Sequence, residues 1–255
     1  MEKTFSKEHT NIAKGIAVIM LLIHHLFYST DYAYTELQIF GINFWNTLAF
    51  FCKTTVAIFV ILSGFGLYKS FSKHENLTEF YKKHFAKIYL NYWYIWLLFV
   101  PAGLFIYGRT FQTIYGDHTI LKLAGNLLGV QNYFGYWGYN PTWWFISLIL
   151  ALYLIFPLLY FLSKRKYILE ILFFASFSLY AVKCNLNYIL CYLPSFIGGI
   201  LIAKYSLFEK TYTVLTKNKL NVYAAIALFF ALLAGRITTV GWISGGGGGR
   251  LYIRL

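Results

Sequence analysis

A chain of 255 residues that is 59% hydrophobic, 22% aromatic and only 12% charged carries more apolar surface than one soluble globule can hide. Apolar runs of helix-spanning length recur along it, so the fold class expected is all-α, a polytopic transmembrane helix bundle. The net charge of +13 invites nucleic acid as a partner, but the cations lie between the apolar runs, which assigns them to membrane topology instead.

Spans are expected at roughly 12–28, 46–68, 88–107, 143–162, 167–183, 188–204 and 220–236. With the N-terminus in the cytoplasm, fifteen of the 22 lysines and arginines fall inside and five outside, leaving Arg250 and Arg254 in the tail. The positive-inside rule therefore orients the chain with a cytoplasmic N-terminus. No small-residue cleavage site follows the first apolar run, which reads as a retained span and not a signal peptide.

The first span carries Lys14 at one end and the pair His24-His25 deep inside. Eleven residues at roughly 100° each make about three turns, so Lys14 and His25 share one helix face about 16 Å apart, with His24 about 80° off that line. A cation at a membrane edge is inexpensive. An imidazole near the middle is not, and such residues face a bundle interior or a wet cavity. The outer loop 29–43 follows, with Asp31 and Glu36.

Ser63, Gly64 and Gly66 near the inner end of the second span permit close approach of another helix or a ligand. Cys52 reads as a structural thiol. The inner loop 69–87 is the most charged part of the chain, and Lys82, Lys83 and Lys87, with His84 among them, stand at the start of the third span. These cations suit anionic lipid headgroups or a polyanionic cytosolic ligand such as a nucleotide-bearing cofactor. Between residues 107 and 142 lies a long outer segment with an amphipathic piece, 118–128, and then alternating Gly and Tyr with Asn132 and Asn140. Aromatic faces beside amides fit sugar recognition at an outer vestibule, and an interfacial aromatic belt fits them as well.

The fourth span opens on Trp143-Trp144, and Pro157 is expected to kink or loosen its inner end. In the fifth, Glu170 is expected to pair with Lys166. Pro194 and Gly198-Gly199 predict a bent, closely packed sixth helix. Cysteines 52, 184 and 191 show no metal spacing, and no metal is expected. Neither a phosphate-binding loop nor a nucleophile elbow occurs. The sequence divides into a membrane domain, 1–244, and a glycine-rich tail, 245–255, whose five consecutive glycines read as the mark of a C-terminal truncation.

Four segments in order resemble the bacterial membrane acyltransferase 3 family, whose members move acetyl or related groups onto hydroxyls of cell-surface glycans. Lys14 and His25 stand at the family's Arg/Lys-to-His spacing. Ile58 to Phe65 resembles its Phe-Phe-x-x-Ser-Gly-Phe element, Lys82 to Tyr92 its basic element, and Trp144-Phe145-Ile146 with Tyr153 and Pro157 its fourth-span element. The match covers 11–160 well and the rest by hydropathy. Ile149 stands where many members carry Glu, and the family fold has about ten spans where this chain supplies about seven.

The resemblance implies a membrane O-acyltransferase of the bacterial inner membrane. Acyl-CoA, with acetyl-CoA the default, would bring its phosphates to Lys14, Lys82, Lys83 and Lys87. His25, neutral if buried, would act as general base on a hydroxyl of a surface polysaccharide or lipid-linked glycan, with Trp143, Trp144 and Asn140 at the acceptor. A covalent acyl-His step stays open, and His24 reads as a neighbour that shapes the site. The rival readings are a non-enzymatic glycan exporter component and an inactive truncated member of the same fold.

Overall fold

The computed structural model describes residues 5–29, 34–39, 41–181 and 188–245. They form helices almost throughout and divide into two compact units, Met1–Phe59 with Tyr205–Leu255, and Val60–Lys204. The run of glycines after Gly245, Cys184 and Asp31 lie outside the described residues.

The first unit is built on α1 (Lys7–Phe27). The Ser6 hydroxyl accepts from the His9 amide at 3.3 Å, and His9 Nδ1 accepts from the Ser6 amide at 3.1 Å. This is a capping box in which histidine replaces the usual Glu or Gln, and it starts the helix five residues before the expected span. A two-stranded antiparallel ribbon, β1 (Gln38–Ile39) and β2 (Ile42–Asn43), leads into α2 (Phe44–Cys52). Asn43 makes no side-chain cap there; Glu36 Oε1 accepts from the Trp45 amide at 2.8 Å instead and supplies the negative charge a helix start favours.

α2 packs along α1. Asn46 Nδ2 donates to the carbonyl of Tyr28 at 3.0 Å, and Trp45 stacks on Phe27 at 5.0 Å. After a break at Lys53–Thr54 the chain continues as α3 (Thr55–Phe71). Its first residue donates from Oγ1 to the Ala17 carbonyl at 3.0 Å, with both residues fully buried. α10 (Leu207–Lys217) and α11 (Lys219–Gly245) complete this unit, the Phe208 ring lying 4.3 Å from that of Phe5.

In the second unit, α4 (Leu77–Phe105) and α7 (Trp144–Ser163) run antiparallel. Phe80 stacks on Phe156 at 5.2 Å near one end of the pair, and Tyr92 meets Trp143 edge-on at 5.4 Å near the other. α5 (Phe111–Tyr115), α6 (Thr119–Leu127) and two 3-10 turns (Gln131–Phe134 and Pro141–Trp143) fill the segment between them. α8 (Ile168–Ala181) and α9 (Tyr188–Lys204) pack on each other and on α7. α7 continues unbroken through Pro157, and Tyr81 donates to the Leu154 carbonyl at 2.9 Å in the turn whose ladder that proline loosens. The close packing expected of α9 is present: a Cβ on Gly199 would strike the Ile61 carbonyl oxygen, and one on Gly64 that of Phe196.

Helices occur at all the expected spans. Among the described residues four are long and apolar enough to cross a membrane, and a fifth if Cys191–Lys204 and Leu207–Lys217 count as one broken span. The segments at Ile168–Ser178 and Lys219–Leu232 are apolar but shorter. The charged stretch read as loop up to Lys87 is helical from Leu77, because Asn76 Oδ1 caps the Glu79 amide at 3.1 Å and starts α4 early.

Glu170 does not pair with Lys166. Tyr167 takes a left-handed backbone with φ 62°, which ends the preceding turn, so Lys166 lies outside α8 with its ammonium 4.9 Å from the Tyr167 ring. The Glu170 carboxylate meets Lys204 of α9 at 2.8 Å.

Candidate functional site

α1 runs unbroken from Lys7 to Phe27, so Lys14 and His25 stand on one face about three turns apart. Both side chains are exposed. His24, half-buried, is the histidine that packs inward: its Nδ1 donates to the Ala49 carbonyl at 2.9 Å. The rings of His24 and His25 are 5.2 Å apart, and Tyr28 stands 5.5 Å from His24 one turn on.

In the second unit Lys82, Lys83 and Lys87 project from the first turns of α4. All are exposed, and none forms an ion pair among the described residues. His84 between them turns inward, its ring 4.7 Å from Phe80 and edge-on to Tyr153 at 5.7 Å. The basic element and the fourth-span tyrosine therefore meet through a histidine that belongs to none of the matched positions. Its signal in the sequence was a lone imidazole amid lysines.

The opposite end of α7 holds the residues expected at an acceptor. Trp143 is buried against Tyr92, and its carbonyl accepts from Gln131 Nε2 at 3.2 Å. Asn140 Oδ1 accepts from the Thr142 amide at 2.9 Å and its hydroxyl at 2.8 Å, fixing the turn that presents the tryptophans. Trp144 is half-buried and stacks on Tyr192 at 5.8 Å. The tyrosines of the Gly/Tyr stretch direct their hydroxyls inward: Tyr133 donates to the Ser147 carbonyl, Tyr136 to that of Lys122, and Tyr139 to that of Arg109. Arg109 returns a bond from Nη2 to the Tyr139 carbonyl at 2.9 Å.

At the end of the unit where α7 finishes, Glu75 takes Lys164 with both carboxylate oxygens, at 2.7 and 2.6 Å, and the Tyr160 hydroxyl at 2.7 Å. Those bonds, Lys164 first, hold its carboxyl below the ordinary range. Among the described residues no cluster of three His, Cys, Asp or Glu could hold a metal ion.

The long apolar helices define a multi-pass membrane protein, with Lys14 and His25 on one face of its first helix and an exposed basic cluster at the start of α4. The sequence matches the Acyl_transf_3 family, described as an acyltransferase domain, over residues 10–248, and the chain belongs to that family. It is also 33% identical over 114 residues to Acyltransferase MdmB of Streptomyces mycarofaciens, an alignment covering 43% of this chain and 29% of that protein. The chain thus matches less than a third of the length of this curated relative. No solved structure matches.

Proposed function

We propose that the chain is a membrane O-acyltransferase that moves an acyl group, acetyl as the default, from cytosolic acyl-CoA to a hydroxyl of a cell-surface glycan or its lipid-linked precursor. The observation that carries this reading is the unbroken α1 with Lys14 and His25 on one face, in a chain of this family. A ring nitrogen of His25 takes the proton of the acceptor hydroxyl while its oxygen attacks the thioester carbonyl. The C–O bond forms, the C–S bond breaks, and the CoA thiolate leaves and recovers the proton from the imidazolium. His24, held on Ala49, sets the rotation of α1 that directs its neighbour.

Lys14, Lys82, Lys83 and Lys87 supply the cations for the donor's phosphates. Their exposure, and the lack of ion pairs at the α4 lysines among the described residues, support that role, since a cation already paired gives a phosphate less. Trp144 offers an aromatic face to a sugar, with Asn140 and Trp143 holding the turn behind it. The chain sits in the bacterial inner membrane with its N-terminus in the cytoplasm, as the placing of its cations favours.

The test compares O-acyl groups on surface polysaccharide of cells carrying the chain, its His25→Ala variant, or neither. Acylation with the first and not the second supports the reading. Equal acylation with both, at equal expression, overturns the role of His25; no acylation with either removes the activity from this chain.

A further inference from the structure

α6 has its polarity reversed for a helix outside the membrane. Ile120, Leu121, Leu127 and Leu128, in positions that recur at helical spacing, are 84%, 74%, 38% and 51% exposed. Its inward side carries, beside Leu123, Asn126, fully enclosed, and half-buried Lys122, whose Nζ donates to the Tyr115 carbonyl at 2.7 Å. A helix beside water shows its polar face; one beside lipid shows its apolar face.

The end of α6 gives a second, independent observation. The last carbonyls of a helix lack intrahelical donors and in water are left to solvent. Here the chain itself satisfies them. The Gly125 carbonyl accepts from the Val130 amide at 2.9 Å, that of Asn126 from the Gly129 amide at 3.0 Å and from the Tyr92 hydroxyl. The Leu127 carbonyl accepts from Trp93 Nε1 at 2.9 Å, that of Leu128 from the Tyr89 hydroxyl at 3.0 Å, and that of Gly129 from Ser147 Oγ at 2.6 Å. Backbone at membrane depth must be satisfied in this way.

Trp93 and Tyr89 also fix where α6 ends. Trp93 lies twelve residues before the end of α4 at Phe105, about 18 Å back along a helix that is itself a candidate span. Between Trp93 and its end α4 also exposes apolar side chains, Tyr94, Leu97, Leu98 and Phe105. Asp117 and His118, both exposed, stand at the other end of α6, where a helix entering from water would carry them.

We infer that α6 is a lipid-facing, partly inserted helix: it enters from the interface at Asp117–His118 and dips beside α4 into the half of the bilayer that holds the end of α4, its apolar face against acyl chains. The segment between α4 and α7 is then a cap set into the membrane and not a water-side loop.

Single cysteines test this in a chain whose three native cysteines are replaced by serine. Ile120→Cys, Leu121→Cys, Leu128→Cys and Asp117→Cys are nitroxide-labelled in phosphatidylcholine–phosphatidylglycerol vesicles, and collisions with oxygen and with a water-soluble nickel chelate are compared. The ratio of oxygen to nickel accessibility is expected to rise from Asp117 through Ile120 and Leu121 to Leu128. A ratio at Ile120 and Leu121 equal to that at Asp117 puts the face in water and overturns the inference. Low accessibility to both reagents at these positions puts protein over the face and overturns it as well. None of these readouts depends on acyl transfer.

Discussion

His24 donates through Nδ1 to the carbonyl oxygen of Ala49 at 2.9 Å, which ties α1 to α2 at the depth where the second histidine stands. A carbonyl only accepts, so Nδ1 carries the proton, and the ring is held by one helix on behalf of another. His25 follows about 100° further round α1, away from that contact. The adjacent histidines thus divide into one that packs inward and one left exposed. Replacing His25 by Ala is expected to lower O-acyl transfer by about 10²–10⁴-fold, the usual worth of a general base, with the thermal midpoint in detergent unchanged. Replacing His24 by Ala is expected to cost about 1 kcal/mol of stability and only part of the activity. Initial rates and midpoints on both variants check this; the reverse order would assign the base to His24.

Gly199 and Gly64 set the approach of α9 to α3, since a Cβ on either would collide with a backbone oxygen of the other helix. Backbone cannot swing aside as a side-chain tip can. Gly199→Val is expected to cost about 1–3 kcal/mol or to prevent folding. Gly66, whose added Cβ would meet nothing within 4 Å, is the internal control. Gly66→Ala should gain up to about 1 kcal/mol from helix propensity alone. Thermal unfolding of the two variants in one detergent separates a packing role from a general intolerance of α3 and α9 to change.

Glu75 joins the loop before α4 to the end of α7 through Lys164 and Tyr160. Its carboxyl is held below the ordinary range by those bonds, so folding favours the ionised form. A depressed folded-state pKa contributes stability that is present above the unfolded value and is lost as pH falls through the folded one. The midpoint of unfolding is therefore expected to fall as pH drops below the usual carboxylate range, and Glu75→Gln should lower the midpoint at pH 7 and flatten that part of the profile. The pair is exposed, so the effect is small and should shrink further in high salt. A salt-insensitive step of equal size in both proteins would assign the acid transition elsewhere.

Local features were legible in the sequence, and pairings made across distance were not. The first helix and the register of Lys14 with His25 follow from one unbroken apolar run, which the structure keeps whole. The glycines of α9 announced a close approach without naming α3 as its partner. Glu170 shows why local rules fail: Lys166 stands at the favourable spacing of four, but a left-handed Tyr167 removes it from the helix and leaves Lys204 of α9 to pair. The tyrosines after α6 look in sequence like an open aromatic surface. Their hydroxyls turn to backbone carbonyls instead, and the buried Asn126 takes the Tyr139 amide at 2.8 Å and, from before α6, the Tyr115 hydroxyl at 2.6 Å on its Oδ1. These pairings join residues far apart in sequence, and composition carries no sign of them.

The basic cluster of α4 yields the last expectation. His84 meets Tyr153 at 5.7 Å, and Tyr153 lies eleven residues, about 16 Å, from Lys164 at the end of α7. Lys83 and Lys87 flank that histidine on α4 and are both exposed. If they serve the phosphates of acyl-CoA, Lys83→Met and Lys87→Met should each raise the KM for the donor about tenfold, ~1.4 kcal/mol, and leave kcat nearly unchanged. Lysine-to-arginine changes should restore most of the loss, because the charge is kept. Donor titrations in membranes at two salt concentrations make the check: a KM indifferent to both lysines would leave them as anchors for lipid headgroups, whereas a KM rise abolished by high salt would mark a charge interaction with the donor itself.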